Sequence, residues 1–210
     1  ATHIIPGSKL NDDSDWMAIA ETDGYYLIVR LNNLPVGTMK YMASGNHNYA
    51  ASNVKNAIEL WYDNINTGTN SGTSTGTLEG LKSFAVRSDA DTVLGSFGNI
   101  TAPVSKPSAT TGYAYPFALS FQEASKYASV LWYDTNGVRT ANGIGQYAAS
   151  NWQYLYDIGD GGTVKGWLRS PGKTAANASM HGWLGNINED PVSTKYAVRP
   201  AMWVRAEVFD

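Results

Sequence analysis

The chain has 210 residues, which suffices for one sizeable domain or at most two small ones, and its hydrophobic fraction of 43% is that of an ordinary globular protein. Only 16% of the residues are charged and the formal net charge is −3, so the sequence lacks the clustered Lys and Arg that bind nucleic-acid phosphates. No apolar run approaches the roughly 20 residues of a membrane-spanning helix. The absence of cysteine excludes disulfide frameworks, thiol nucleophiles and zinc ribbons.

The first predicted element is a β-hairpin. Met17 and Ile19 alternate with smaller residues, and the apolar run at 25–29 follows the turn that Asp23 and Gly24 form. Glycine supplies the positive φ that a tight hairpin turn requires. We therefore interpret the Asp-Gly pair as turn chemistry rather than as a functional site.

Helices are predicted where apolar residues recur at helical spacing behind a capping residue. The first covers Ala50 to Asn64, with Ser52 as its N-cap. The second covers Ser120 to Trp132, and Glu123, three positions after Ser120, completes a capping box. The pattern also admits a third helix from Gln146 to Tyr156.

Two long irregular stretches separate these elements. Residues 66–77 are rich in Gly, Ser and Thr and predict a surface loop, and residues 95–115 contain prolines that favour an extended crossing segment. Neither has the character of a domain linker. The sequence therefore predicts a single domain over residues 1–210.

Two short motifs near the C-terminus, here called the signature motifs, each combine an Arg, a Trp and a Pro. The first, residues 166–172, reads GWLRSPG, and the second, residues 198–204, reads VRPAMWV. Aromatic and β-branched residues with a terminal Pro are typical of strands. We expect Arg169 and Arg199 to be structural, pairing with an internal acid or backbone carbonyls and stacking on Trp167 or Trp203; binding of a ligand carboxylate or phosphate is the alternative.

The signature motifs resemble those of a functionally uncharacterised domain family of secreted and surface proteins of Gram-positive bacteria. In that family Trp-Leu-Arg-Ser-Pro-Gly is followed by Val-Arg-Pro-Ala-Leu-Trp, and Met202 stands here at the position of the usual leucine. Segments 16–29, 52–62 and 116–124 resemble its opening hairpin, first helix and strand-to-helix segment. Residues 66–77 resemble an insertion.

The resemblance implies an α+β, C-type-lectin-like fold, in which a twisted antiparallel sheet packs against two or three helices with long irregular loops. It also implies a secreted or cell-surface location in a bacterium, in which the chain can be part of a larger surface protein.

Candidates for catalysis are few. The histidines His3, His47 and His181 lack the i,i+4 spacing of a metal-binding helix, and no Gly-x-Ser-x-Gly nucleophile motif is present. Glycosidases need two carboxylates facing each other across a sugar; the chain has several carboxylates, but the sequence alone does not place any two of them at the required distance. We therefore expect no enzymatic activity and no metal site, with a glycan-processing enzyme as a remaining alternative.

For binding, the segment between the signature motifs combines an indole ring with amides and carboxylates. Aromatic faces pack on the C–H surfaces of sugars while amides and acids hydrogen-bond their hydroxyls. The candidate ligand-binding residues are Asn177, His181, Trp183, Asn186, Asn188, Glu189 and Asp190.

Two alternatives to a glycan or protein contact at this segment remain open. Residues 188–190 are similar to the oxygen ligands by which many C-type lectins hold calcium, without matching their usual patterns. The segment can equally be a polar hairpin tip with Trp183 packed on the sheet.

Together these features predict an extracellular, adhesin-like recognition domain that binds a surface glycan or a host protein. The competing prediction is a structural module of a pilus, phage tail fibre or cell-wall assembly that binds its own neighbours. We expect no cofactor, with calcium as the open alternative, and neither nucleic-acid binding nor membrane insertion.

Overall fold

The structure is a computed structural model of the chain, and it describes residues 16–30, 33–64, 82, 84–134, 152–154, 165–181 and 187–209. The strands are β1 (Trp16–Thr22), β2 (Tyr25–Arg30), β3 (Met39–Lys40), β4 (Ala85–Ser88), β5 (Pro107–Ser108), β6 (Trp132–Asp134), β7 (Trp152–Tyr154), β8 (Gly166–Pro171), β9 (Asn177–His181), β10 (Ile187–Pro191), β11 (Lys195–Tyr196) and β12 (Ala201–Arg205). The helices are α1 (Asn53–Asp63), α2 (Phe121–Lys126) and α3 (Ala128–Leu131), with 3₁₀ turns at Tyr49–Ala51 and Ala206–Phe209.

A five-stranded antiparallel sheet in the order β1-β2-β12-β4-β5 organises the fold. Its central strand, β12, carries the second signature motif, and Trp203 lies opposite Leu27 on one side and Val86 on the other. The first signature motif supplies β8 of a three-stranded sheet ordered β10-β9-β8. The architecture is therefore mixed α+β, built on antiparallel strands.

The predicted opening hairpin is confirmed. Strands β1 and β2 pair antiparallel and are joined by Asp23 and Gly24, whose φ angles are 50° and 84°. Positive φ at both central residues is the geometry in which Asp-Gly turns match the twist of a hairpin.

Both faces of the central sheet are buried. Alternate residues of β2 enter two different apolar clusters, Leu27 and Val29 in one, Tyr26 and Ile28 in the other. Side chains alternate between the faces of a strand, so the two clusters lie on opposite sides of the sheet. The first cluster includes residues of α2 and α3, and the second includes residues of α1.

The capping predictions are confirmed, while the predicted helix limits change. The Ser52 hydroxyl accepts from the Lys55 amide at 3.0 Å, but α1 begins at Asn53, because Tyr49–Ala51 forms a separate 3₁₀ turn. Ser120 and Glu123 form the expected reciprocal capping box at the start of α2. The second helix breaks at Tyr127 and ends at Leu131.

The expected third helix is wrong at the residues that the structure describes. Residues 152–154 form strand β7, which pairs with β6 at residues 132–134, where the second helix was expected to end. Aromatic residues favour strands, and Trp152 and Tyr154 stand two apart, the period of a strand. The rest of the Gln146 to Tyr156 segment and residues 66–77 lie outside the described residues.

None of the helices among the described residues has the length and apolar composition that crossing a membrane requires.

Candidate functional site

Arg169 of the first signature motif is fully buried and makes hydrogen bonds to three different segments. Its guanidinium group donates to the carbonyl oxygens of Ala90, Val93 and Ala118 at 3.0, 2.9 and 2.8 Å. The same group forms an ion pair with the carboxylate of Glu123. With these donors committed inside the protein, Arg169 is a structural residue rather than a ligand contact.

Glu123 links Arg169 to the second signature motif. One carboxylate oxygen accepts from Arg169 and from the Ser120 amide, and the other accepts from the amide and hydroxyl of Ser105. The Ser105 hydroxyl in turn accepts from the indole N–H of Trp203 at 3.2 Å. A continuous buried network therefore joins both signature motifs to the start of α2.

The electrostatics of Glu123 follow from this network. Burial on its own raises the pKa of the carboxyl group, but the attraction of Arg169 and the hydrogen bonds from Arg169, Ser105 and Ser120 together hold the pKa below its ordinary value. The group is therefore ionised at neutral pH. Since its lone pairs already accept four hydrogen bonds, it is unsuited to act as a general base.

Ser170 gives the first signature motif a second anchor. Its hydroxyl accepts from the Phe121 amide at 2.9 Å and donates to the Leu94 carbonyl. One hydroxyl thus joins β8 to the first turn of α2 and to the segment that follows β4. This contact gives the serine of the motif a structural role.

The expected stacking of Arg169 on Trp167 or Trp203 is wrong. The guanidinium carbon lies 5.0 Å from the ring centroid of Phe117 instead. Trp167 packs edge-on against Tyr41 at 5.3 Å and donates its indole N–H to the Met39 carbonyl at 2.9 Å. The pairing of β8 with β9 shifts register between Trp167 and Pro171, so Trp167 and Arg169 do not share one regular strand face.

Arg199 is also buried, 4% exposed, but its partner is a side-chain amide. Its Nε and Nη2 groups both donate to the Oδ1 atom of Asn33, at 2.9 and 2.6 Å. This two-point contact attaches the second signature motif to the segment after β2.

The predicted ligand segment forms strands β9 and β10, and its carboxylates are engaged internally. Glu189 accepts from the Asn177 side-chain amide at 3.2 Å and from the Lys173 backbone amide. Asp190 accepts from the Tyr196 hydroxyl. The structure therefore brings Asn177 and Glu189 together, in a contact that stabilises the hairpin.

The other predicted ligand residues do not extend this cluster. His181 is 2% exposed and lies against Gly166. Its Nε2 atom occupies the position that a β-carbon on residue 166 would take. Asn188 is exposed, and its side-chain oxygen accepts from the Glu189 amide at 2.9 Å. Trp183 and Asn186 lie outside the described residues.

An apolar groove beside α1 is the more open site. It has a volume of about 430 Å³ and lies between α1 and the turn after Leu34. Among its large hydrophobic members, Val36 is 68% exposed and Leu60 55% exposed, whereas Leu34 and Trp61 are buried. The residues that line this α1 groove are Leu34, Pro35, Val36, Met39, Asn53, Asn56, Ala57, Leu60, Trp61 and Asn64.

The groove was not predicted from the sequence, because the apolar stripe that the α1 sequence displays is the buried one. Val54, Ile58 and Trp61 pack into the core, whereas Leu60 lies off that stripe and is exposed. A leucine outside the buried stripe of an amphipathic helix is the feature that could have indicated the groove.

A second cavity of about 400 Å³ lies above the buried network. Ser105 and Trp203 form part of its lining, together with Tyr127 and the exposed lysines Lys106 and Lys126. The Ser105 hydroxyl in this lining donates to Glu123 and accepts from the Trp203 indole. Throughout the described ranges, no three His, Cys, Asp or Glu side chains lie close enough to hold a metal ion.

Comparisons of the chain with protein-family models, curated proteins and solved structures found no match.

Proposed function

We propose that this chain is a non-enzymatic recognition domain that binds a protein surface through the α1 groove. The main support for the proposal is that exposed apolar side chains line a cavity. Val36 and Leu60 are two of the three large hydrophobic residues that are exposed in the described part of the chain, and both line this groove. Apolar exposure of this kind is characteristic of sites that bind another molecule.

The chemistry of the groove favours a protein over a glycan. Its lining is mostly apolar, and Trp61, at 7% exposed, offers no free ring face to a sugar. A sugar would place hydroxyls against apolar walls, and each unpaired group costs about 1–3 kcal/mol. An aliphatic side chain meets no such cost, and its full burial contributes about 1.5–3 kcal/mol.

Polar groups at the margin of the groove suit a protein partner. Asn53, Asn56 and Asn64 are exposed there. The Asn53 amide donates to the Lys40 carbonyl at 3.1 Å, which fixes it against β3, whereas the Asn56 side chain projects from α1 without a bond to any described residue. A side-chain amide supplies both a donor and an acceptor, so it can pair with a polar group of the partner protein.

We further propose that the chain is a secreted or cell-surface, adhesin-like domain with a C-type-lectin-like fold. The order of its elements supports the proposed fold: an opening hairpin, a helix, a capped helix and two C-terminal motifs within antiparallel sheets. The signature motifs, which resemble those of Gram-positive surface proteins, support the proposed cell-surface location. Binding is proposed to need no cofactor.

The proposal is tested by amide NMR spectra of the protein titrated with N-acetyl-leucine methylamide and, separately, with methyl glucoside. We expect the leucine probe to shift signals of Ala57, Leu60 and Val36, with a dissociation constant on the order of millimolar for so small a ligand. Leu60→Ala should weaken this binding, whereas Ile100→Ala, which alters an exposed apolar residue elsewhere, should not. Binding of the glucoside alone, or of neither probe, would contradict the proposal.

A further inference from the structure

We infer that the protein surface bound by the α1 groove is that of a second copy of this chain, with the two α1 helices packed antiparallel about a two-fold axis. This inference rests on the proposed function and names the partner. It follows from the spacing, the order and the charge of the residues that α1 presents to the groove.

The spacing is that of a helix-packing seam. Asn53, Ala57, Leu60 and Asn64 all line the groove, and they stand at positions i, i+4, i+7 and i+11. Alternating steps of four and three residues keep side chains on one stripe, along which a second helix can lie. A partner helix also satisfies its own backbone hydrogen bonds, so it needs no free strand edge in the groove.

The order of these residues is self-complementary in the antiparallel direction. When two copies of α1 align about the midpoint between Ile58 and Glu59, Asn53 faces Asn64 of the second copy, and Ala57 faces Leu60 of the second copy. The Asn53 Nδ2 group already donates to the Lys40 carbonyl, so its Oδ1 atom is the one that meets Asn64 of the second copy, and each large side chain meets a small one. A two-fold interface requires such a patch, because the same surface serves both partners.

The sizes of the side chains fit this pairing. Leu60 is 55% exposed, while Ala57 leaves space beside it in the 430 Å³ groove. The leucine of each copy can therefore enter the groove of the other next to its alanine. Val36 lies on the opposite wall, where it would cover the inserted leucine.

Charge does not oppose the contact. None of the described residues that line the groove is charged, so two copies with a formal net charge of −3 each bring no like charges together among them. In the same register, the exposed Asp63 of one copy is offset from the exposed Asn56 of the other by two residues, about 3 Å along the helix axis. An amide donor then lies near a carboxylate acceptor at each end of the seam.

The contact is small, so we expect weak association. The 11 residues of α1 span about 16 Å, and one helix pair buries less than the roughly 800 Å² per partner of a standard interface. A dissociation constant on the order of 100 μM fits a contact of this size.

Sedimentation equilibrium from about 10 μM to about 1 mM protein tests the inference. We expect the wild type to shift from monomer to dimer over this range. Leu60→Glu should remain monomeric, because it places a charge in the apolar seam of both copies, while Ile100→Glu should dimerise like the wild type. Circular dichroism on each variant checks that the fold is retained.

A charge exchange tests the antiparallel register. Asn53→Asp combined with Asn64→Lys places opposite charges against each other in the antiparallel pair and should strengthen the dimer relative to either single variant at low salt. Both substitutions also suit the helix dipole, with the acid at the N-terminus and the base at the C-terminus of α1. A parallel pair would face like charges and would be weakened by the same double variant.

Two results would overturn the inference: a wild type that stays monomeric at about 1 mM, or a Leu60→Glu variant that dimerises as well as the wild type. If the wild type is monomeric and the leucine probe still binds the groove, the second-copy inference fails and the protein-binding proposal stands. If neither binding nor self-association is seen, both fail.

Discussion

Arg169 and Glu123 form an ion pair in which both side chains are 0% exposed, although one lies in β8 and the other in the capping box of α2. Removing two charges from water costs several kcal/mol per ion unless further hydrogen bonds compensate. Three backbone carbonyls supply this compensation for Arg169, and Ser105 and Ser120 supply it for Glu123. Loss of either partner would leave the other charge buried without its counter-ion.

Replacing Arg169 should therefore cost stability. We expect Arg169→Met to lower the free energy of unfolding by about 3–5 kcal/mol, measured by urea denaturation. Arg205→Met is the matched control, because Arg205 and Glu207 form an exposed pair at 3.7 Å, and it should cost less than about 1 kcal/mol. Similar losses for the two variants would contradict the structural role of Arg169.

The ionisation of Glu123 predicts a pH dependence. The pKa of this carboxyl group is lowered in the folded state, so its contribution is fully present above the unfolded value of about 4.5 and is lost as pH falls through the lower folded value. Urea unfolding between about pH 7 and about pH 3 should show falling stability below about pH 4.5. Glu123→Gln should be less stable at neutral pH and lose less on acidification. An acid response identical to that of the wild type would contradict this assignment.

Close packing of His181 against Gly166 predicts a steric effect. A β-carbon at position 166 would overlap the Nε2 atom of His181, and both residues are buried. Gly166→Ala should lower the melting temperature, and adding His181→Ala should recover part of the loss, because the smaller side chain removes the overlap. If the second substitution restores nothing, the ring of His181 is not the obstacle.

The internal bonds of Glu189 predict that calcium has no effect on stability. Both carboxylate oxygens accept hydrogen bonds, from Asn177 and from Lys173, so a metal ion would have to displace them. We expect equal melting temperatures with calcium and with a chelator. Glu189→Gln should cost about 1 kcal/mol under both conditions, because it weakens two hydrogen bonds. A calcium-dependent rise that Glu189→Gln abolishes would restore the calcium alternative.

Structural features that depend on residues close together in the sequence were predictable from it. The turn at Asp23 and Gly24, the Ser52 cap and the capping box of Ser120 and Glu123 each depend on residues within four positions of one another. Their geometry is fixed by local dihedral preferences and local hydrogen bonds, which a single sequence displays directly.

Features decided by distant residues were not predictable. Glu123 was identified only as a capping residue, because its partner Arg169 lies 46 positions away. Trp132, the last residue of the predicted second helix, lies instead in a strand and pairs with Tyr154, and such pairing overrides a local preference. The α1 groove likewise exists only because the turn at Val36 lies opposite Leu60 in the folded chain.

The most direct test of the claim that the first signature motif serves the fold is a double-mutant cycle on Arg169 and Glu123. The unfolding free energies of Arg169→Met, Glu123→Gln and the double variant would be measured in urea at neutral pH. We expect the double variant to be less destabilised than the sum of the single variants by about 2–3 kcal/mol, because it leaves no unpaired charge in the interior. Losses that add within about 0.5 kcal/mol would show that the two residues act independently and would contradict the account.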